Sequence, residues 1–247
     1  MLPNPAGFEP RIPPVLNSRV PSLAFPHITC ELATARNSTI FLRRAASVLS
    51  GGMPEKVFID ANELFVDSYR LARKIFDDGF RPDYVVGVWR GGCPIGVAVE
   101  EFLRVQQCPI KHHSAIKTQS YTGIGQRREV EVFGLEYIVS KVNAEDKLLI
   151  IDDVFDSGNS VKAILEAFRS MARKNTPEMR VACLYYKPAA NQVDIVPNYW
   201  LHETAAWLVF PHELEGLTLE EIGQKWDPAI AEIVRAPGGP FENAGEK

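Results

Sequence analysis

The sequence predicts an α/β protein built on a doubly wound, mostly parallel sheet that is flanked by helices. Short apolar runs alternate with segments whose apolar residues recur at helical spacing, and this alternation is typical of parallel strands joined by crossover helices. Two of the apolar runs end in loops of glycine or small polar residues that lead directly into a helical segment. With 247 residues, of which 46% are hydrophobic, the chain can bury a sizeable core.

The regular pattern begins at Asp60. Asp60 and Glu63 form a D-x-x-E capping box, and the apolar residues that follow recur at helical spacing, so we predict a helix that ends near Gly79. The run "DYVVGVW" then predicts a buried strand. The glycine-rich stretch "RGGCPIG" predicts a break, and residues 97–105 predict the next helix.

Further apolar runs predict the remaining strands, namely "KHHSAIK", "EVEVF", "KLLIIDD" and "RVACLYY". The helix after "KLLIIDD" is marked by apolar residues at helical spacing, which are Val161, Ile164, Leu165, Phe168 and Met171. Thr218 and Glu221 form a second capping box, which predicts a short helix through Trp226.

The two ends of the chain differ from the middle. Residues 1–52 contain seven of the 18 prolines, five arginines, no lysine and two acidic residues. We interpret this segment as a poorly ordered extension outside the core, and two readings stay open: a weak targeting segment, or sequence upstream of a more usual start at Met53. The core domain is predicted over residues 53–235, and residues 236–247 are predicted to form a flexible tail.

Composition excludes several classes of function. The formal net charge of −4 provides no bulk attraction to nucleic acid or to an anionic membrane. No apolar run approaches the length of a membrane span, which is about 20 residues. The four cysteines lack metal-binding spacing and indicate reduced thiols. We therefore expect a cytoplasmic protein whose partner is a small molecule.

The stretch "LLIIDDVFDSGNS" is the strongest candidate for a binding site. In open α/β sheets ligands bind at the carboxyl ends of the strands, and backbone N–H groups at a helix N-terminus can hold a phosphate, helped here by the Ser157 and Ser160 hydroxyls. Asp152, Asp153 and Asp156 would repel a phosphate unless they face sugar hydroxyls, a divalent cation or a protonated ring nitrogen. A phosphorylated sugar satisfies these requirements. The alternative is an acidic strand end that is merely solvated, followed by a helix cap.

The same stretch resembles the phosphoribosyl-pyrophosphate signature of the type I phosphoribosyltransferases: an apolar strand, two acids, two apolar residues, then Asp, Ser or Thr, Gly, any residue, and Ser or Thr. The resemblance covers about residues 58–215, and it is closest to the purine branch, especially the xanthine-guanine and hypoxanthine transferases. It implies a small hood subdomain, mainly residues 187–215, and binding of phosphoribosyl pyrophosphate by Asp152, Asp153, Asp156, Ser157, Gly158, Asn159 and Ser160.

Two further loops resemble parts of this family. The stretch "VVGVWRGGCPIG" resembles its pyrophosphate loop, which implies that Arg90 and Gly91 contact pyrophosphate, and in the family the peptide bond before this arginine is often cis. The stretch "SYTGIGQRREVEV" resembles the mobile loop and the strand after it. This likeness implies that Arg128 is a second pyrophosphate contact, and Arg127 is the next best candidate for that contact.

The resemblance also implies a base site. Lys187 would donate to the 6-oxo group of a purine, Trp207 would stack on its ring, and the backbone of Leu208 would read its edge. Mg²⁺ is the implied cofactor, held by Asp153 and Glu213. His212 stands where the xanthine-guanine and archaeal relatives commonly have tryptophan, and Asn159 departs from the usual residue, so the preferred base stays open.

Together these residues predict an enzyme that makes IMP, GMP or XMP and pyrophosphate from phosphoribosyl pyrophosphate and hypoxanthine, guanine or xanthine, with Asp156 as the catalytic proton acceptor near N7. The family usually forms dimers or tetramers, so we expect a homo-oligomer. Two alternatives remain: a non-catalytic regulator of the same fold that binds nucleotide or RNA, and a transferase for a pyrimidine base or orotate.

Overall fold

A computed structural model of the chain describes residues 56–121, 129–225 and 227–235. These residues belong to one compact unit, Gly52–Lys247. The predicted extension over residues 1–52, the predicted tail over residues 236–247, and most of the predicted mobile loop lie outside the described residues.

The described residues form eight strands and six α-helices. The strands are β1 (Lys56–Phe58), β2 (Tyr84–Trp89), β3 (His112–Tyr121), β4 (Glu129–Phe133), β5 (Lys147–Phe155), β6 (Glu178–Tyr186), β7 (His202–Glu203) and β8 (Trp207–Val209). The helices are α1 (Ala61–Asp77), α2 (Gly92–Val105), α3 (Leu135–Val139), α4 (Asn159–Ala172), α5 (Leu219–Lys225) and α6 (Pro228–Val234).

Six strands form the main sheet, in the order β4-β3-β2-β5-β6-β7. Every neighbouring pair is parallel except β3 and β4. The prediction of a mostly parallel, doubly wound sheet is therefore confirmed. β1 and β8 pair in parallel in a separate two-stranded sheet.

The core has two layers because the central strand is buried on both faces. Along β5, Leu149 and Ile151 pack with side chains of α1 and α2, whereas Leu148 and Ile150 pack with side chains of α4 on the other face. This alternation explains why β5 reads as a continuous apolar run rather than as an alternating one. No helix in the part of the chain described here has the length and hydrophobicity needed to cross a bilayer.

Both predicted helix caps are present, and the one at α5 is a complete capping box. Asp60 caps α1 by accepting hydrogen bonds from the N–H groups of Asn62, at 2.8 Å, and Glu63, at 3.2 Å. At α5 the contact is reciprocal, since the Thr218 N–H donates to Glu221 and the Glu221 N–H donates to the Thr218 hydroxyl. α5 is described up to Lys225, because Trp226 is not among the described residues.

The predicted start of the second helix is wrong. α2 begins at Gly92, so the glycine-rich stretch lies within the first turns of the helix instead of before it. A Cβ atom on Gly92 would lie 2.1 Å from the carbonyl oxygen of Ile151, so glycine is needed there for the close approach of the helix to β5. Pro94 lies in the first turn, where its missing N–H costs no intrahelical hydrogen bond.

Five elements were not predicted from the sequence: β1, α3, β7, β8 and α6. Each spans seven residues or fewer, too few for a periodic pattern to stand out. β1 matters most for the site because its register pairs Lys56 with Trp207.

Replacing Phe168 by alanine should lower the free energy of unfolding by about 3 to 5 kcal/mol, because this side chain of α4 is fully buried against the sheet and its loss leaves a cavity. Phe65→Ala on α1 is the matched control, since Phe65 is 50% exposed. Urea denaturation measures both variants. Equal losses from the two would contradict the packing described for α4.

Candidate active site

A cleft of about 420 Å³ lies at the carboxyl ends of β2, β5 and β6, beside the small β1–β8 sheet. Fourteen residues line it: Lys56, Arg90, Asp153, Val154, Asp156, Lys187, Trp207, Leu208, Val209, Phe210, Glu213, Glu215, Gly216 and Leu217. Its position agrees with the rule that ligands of open α/β sheets bind at the carboxyl ends of the strands.

The cleft brings together seven of the residues proposed from the sequence as site residues: Arg90, Asp153, Asp156, Lys187, Trp207, Leu208 and Glu213. Six others lie next to these along the chain without lining the cleft: Gly91, Asp152, Ser157, Gly158, Asn159 and Ser160. Arg128 and Arg127 lie outside the described residues.

Lys187 and Asp156 form an ion pair in the cleft. The Lys187 Nζ atom donates to Asp156 Oδ2 at 2.9 Å. The Lys187 side chain is 15% exposed and that of Asp156 is 51% exposed, so the carboxylate reaches further into solvent. The Lys187 N–H also donates to the carbonyl of Phe155, which ties the end of β6 to the end of β5. A hydrogen-bond donor and an acceptor therefore stand side by side in the cleft.

The first two carboxylates of the acidic motif lie within β5, not after it. Asp152 Oδ1 accepts the N–H of Asp153 at 3.0 Å, and Asp153 Oδ1 accepts the N–H of Val154 at 2.7 Å. Desolvation raises the pKa of Asp152 well above its usual range, and the adjacent Asp153 charge raises that pKa further. The pair thus stores unfavourable electrostatic energy that a cation or a set of hydroxyl donors would relieve.

The loop between β2 and α2 approaches this pair closely. A Cβ atom on Gly91 would lie 1.8 Å from Asp153 Oδ2, so only glycine allows the backbone so near the carboxylate. The peptide bond between Trp89 and Arg90 is cis. The Arg90 side chain is exposed and lines the cleft, where it can meet an anionic ligand.

The small-residue loop after β5 leads into α4. Gly158 precedes the helix with a φ of +77°, a left-handed conformation that favours glycine. The Ser157 hydroxyl accepts a hydrogen bond from the side-chain amide of Asn159 at 3.2 Å. The first N–H groups of a helix have no intrahelical acceptor, so this loop offers donors to a phosphate.

The opposite wall of the cleft is β8. Trp207 is 58% exposed and lines the cleft, so its indole face is accessible to an aromatic ring. Leu208 is buried, and its backbone pairs in register with Val57 of β1. Beyond β8, Glu213 accepts the N–H of Phe210 at 3.2 Å.

Sequence reasoning missed two residues near the acidic pair and Trp207. Lys56 lines the cleft and donates to Glu221 at 2.9 Å, but nothing in its three-residue strand suggests a hydrogen-bond partner 165 residues away. His212 was identified only as a departure from a family pattern, yet its Nε2 atom lies 3.3 Å from Asp153 Oδ2.

Among the described residues no group of three or more His, Cys, Asp or Glu side chains is placed to hold a metal ion. Asp153 and Glu213 nevertheless both present carboxylates to the cleft. Mg²⁺ is commonly held by one or two carboxylates together with substrate phosphates. The donor set therefore fits a Mg²⁺ ion that binds together with a phosphorylated ligand.

Comparisons with known proteins agree with this geometry. The sequence matches the family model of the phosphoribosyl transferase domain over residues 59–210. No curated protein matches the sequence.

Among solved structures, the purine phosphoribosyltransferase of Pyrococcus horikoshii Ot3 is 26% identical, with a TM-score of 0.53 over 66% of this chain and 97% of that one. A hypothetical protein from Neisseria gonorrhoeae with bound ppGpp is 21% identical, with a TM-score of 0.57 over 74% of this chain and 99% of that one. The Helicobacter pylori xanthine-guanine-hypoxanthine phosphoribosyltransferase is 18% identical, with a TM-score of 0.54 over 69% of this chain and 99% of that one. The last two show a shared fold.

We expect Asp152→Asn to stabilise the ligand-free protein in a pH-dependent way. Folding raises the pKa of Asp152, so its carboxylate disfavours the folded state at neutral pH, and this cost vanishes below the pKa of the unfolded chain, which is about 3.9. Thermal unfolding between about pH 4 and pH 8 should therefore show a gain that grows as the pH rises.

The matched control for this variant is Asp194→Asn, which changes an exposed carboxylate outside the cleft and should show no such trend. A gain from Asp152→Asn that is the same at every pH, or a loss at neutral pH, would contradict the electrostatic account of the acidic pair.

Proposed function

The chain belongs to the phosphoribosyl transferase domain family, and from this premise we propose that it transfers the ribose 5-phosphate group of phosphoribosyl pyrophosphate to N9 of a 6-oxopurine. The products are a purine nucleoside monophosphate (IMP, GMP or XMP) and pyrophosphate. The preference for purine bases is supported by the residues of the cleft and by the likeness to the purine phosphoribosyltransferase of Pyrococcus horikoshii.

The observation that carries the proposal is the Lys187–Asp156 pair beside the exposed Trp207. In a 6-oxopurine the 6-oxo oxygen and N7 are neighbours on one edge of the ring, so an adjacent donor and acceptor can contact both. Lys187 has only donors, which suits an oxo group and disfavours the 6-amino group of adenine. The indole of Trp207 can stack on the ring, which contributes about 1 to 3 kcal/mol in comparable base-binding sites.

The remaining groups suit the sugar substrate. Asp152 and Asp153 are proposed to accept hydrogen bonds from the ribose hydroxyls, which would offset the repulsion within the pair. The loop of residues 157–160 supplies N–H groups and hydroxyls for the 5-phosphate. Arg90, together with Arg128 by the resemblance of its loop, is proposed to bind the pyrophosphate.

In the proposed reaction, the lone pair of N9 attacks the anomeric carbon as the bond to the pyrophosphate oxygen breaks, and the sugar passes through an oxocarbenium-like state with inversion. The proton on N7 passes to Asp156, and pyrophosphate leaves with the bonding electrons. Mg²⁺, when bound at Asp153 and Glu213, would supply charge stabilisation for the departing pyrophosphate. The protein contributes chiefly by positioning the two substrates and by electrostatic stabilisation.

The assay that tests the proposal offers the protein phosphoribosyl pyrophosphate and Mg²⁺ with each of six bases: hypoxanthine, guanine, xanthine, adenine, uracil and orotate. Nucleotide should form with one or more of the first three and not with the others, because Lys187 selects an oxo group beside N7. Product only from uracil or orotate would replace this proposal with the pyrimidine alternative. Binding of nucleotide with no product from any base would favour the regulator.

Asp156→Asn should lower kcat by about two to four orders of magnitude, the usual contribution of a general base, because an amide cannot take the N7 proton. The fold should survive, since the Asp156 side chain is half exposed. Steady-state kinetics and circular dichroism measure the two effects.

The matched control is Glu166→Gln, which changes an exposed acid on α4 that does not line the cleft and should leave kcat unchanged. Near-normal turnover by Asp156→Asn would remove Asp156 from the reaction.

A further inference from the structure

We propose that His212 is a positioning residue that holds the Asp153 carboxylate in the orientation in which it meets phosphoribosyl pyrophosphate. This inference rests on the proposed function. It concerns a residue that does not itself line the cleft but lies against one of the carboxylates that do.

The two oxygens of the Asp153 carboxylate have partners on different segments. Oδ1 accepts the N–H of Val154 on its own strand at 2.7 Å, and Oδ2 lies 3.3 Å from Nε2 of His212, which follows β8. Contacts at both oxygens restrict rotation of the carboxylate about its Cβ–Cγ bond. His212 therefore links the segment after β8, on the Trp207 side of the cleft, to the acidic pair at the end of β5.

The imidazole is itself held in place. Its ring stacks on Phe210, with the centroids 5.5 Å apart and the planes 13° from parallel, and Phe210 is buried. The Nδ1 atom of His212 is buried and has no hydrogen-bond partner among the described residues. A buried N–H without an acceptor is costly, so the proton of the neutral ring is favoured on Nε2, the atom that faces Asp153 Oδ2 at 3.3 Å.

The loop before α2 also lies next to the Asp153 carboxylate and the His212 ring. A Cβ atom on Gly91 would lie 1.8 Å from Asp153 Oδ2 and 2.8 Å from His212 Nε2. The imidazole, the carboxylate and the backbone of the proposed pyrophosphate loop thus meet at one place. Without the imidazole, Oδ2 loses its partner and the carboxylate gains rotational freedom, which substrate binding must then remove.

Three variants separate positioning from bulk stability. His212→Phe keeps a flat ring on Phe210 but removes the donor, whereas His212→Gln keeps an N–H donor at a similar reach. His202→Phe is the matched control: His202 also pairs with a buried aspartate, Asp67, at 2.6 Å and stacks on Tyr185, but Asp67, unlike Asp153, does not line the cleft.

Isothermal titration calorimetry with phosphoribosyl pyrophosphate and excess Mg²⁺, without a base, measures Kd independently of turnover. His212→Phe should weaken binding roughly tenfold, the value of a hydrogen bond to a charged group. His212→Gln should stay within about threefold of the wild type, because it retains the donor. His202→Phe should lower the melting temperature and leave Kd unchanged. In steady-state kinetics, the KM for phosphoribosyl pyrophosphate should rise in His212→Phe while the KM for the base does not.

An unchanged Kd in His212→Phe would overturn the inference, as would equal weakening by His212→Phe and His212→Gln, or equal weakening by His212→Phe and His202→Phe. If His212→Phe does not fold, His212→Leu provides the same loss of the donor and is judged by the same outcomes. A wild-type protein that does not bind phosphoribosyl pyrophosphate with Mg²⁺ would overturn the proposed function itself, which distinguishes that failure from a failure of the His212 inference.

Discussion

The site depends above all on the parallel pairing of β5 with β2 and β6. In register, Ile151 lies opposite Gly87 of β2, and Phe155 lies opposite Tyr186 of β6. Because parallel strands end at the same edge of the sheet, this register places Arg90, the acidic motif and Lys187 around one cleft although they are far apart in sequence. The apolar residues that bury β5 on both faces hold that register, since a slip of one residue would exchange its two faces.

This arrangement has an energetic cost that is concentrated at the acidic pair. Asp152 and Asp153 lie at the end of a buried strand, and burial together with mutual repulsion raises the pKa of Asp152. The fold offsets part of this cost locally: backbone N–H groups donate to both carboxylates, and His212 approaches Asp153 from the other wall. Unfavourable electrostatic energy of this kind is typical of binding sites, because the ligand supplies the missing hydrogen-bond donors or positive charge.

The helices and strands predicted from the sequence agree best with the structure where hydrogen bonds between neighbouring residues fix the end of an element. The caps at Asp60 and Thr218 place the starts of α1 and α5 because a cap acts through neighbouring backbone groups. Agreement fails at the start of α2, where glycine suggested a break. There Gly92 allows the helix to lie close to Ile151 of β5. This contact joins segments that are distant in sequence, so the residues around Gly92 do not reveal it.

The sequence by itself determined the order of the longer strands and helices, the acidic motif with its small-residue loop, and the resemblance that relates them to a sugar-pyrophosphate site, because these reside in contiguous residues and in periodicity. Only the tertiary structure decided that Lys187 pairs with Asp156, that Lys56 joins the cleft through the pairing of β1 with β8, and that His212 reaches Asp153. These contacts join residues 31 to 151 positions apart, and their existence depends on strand register and loop paths, which no local pattern encodes.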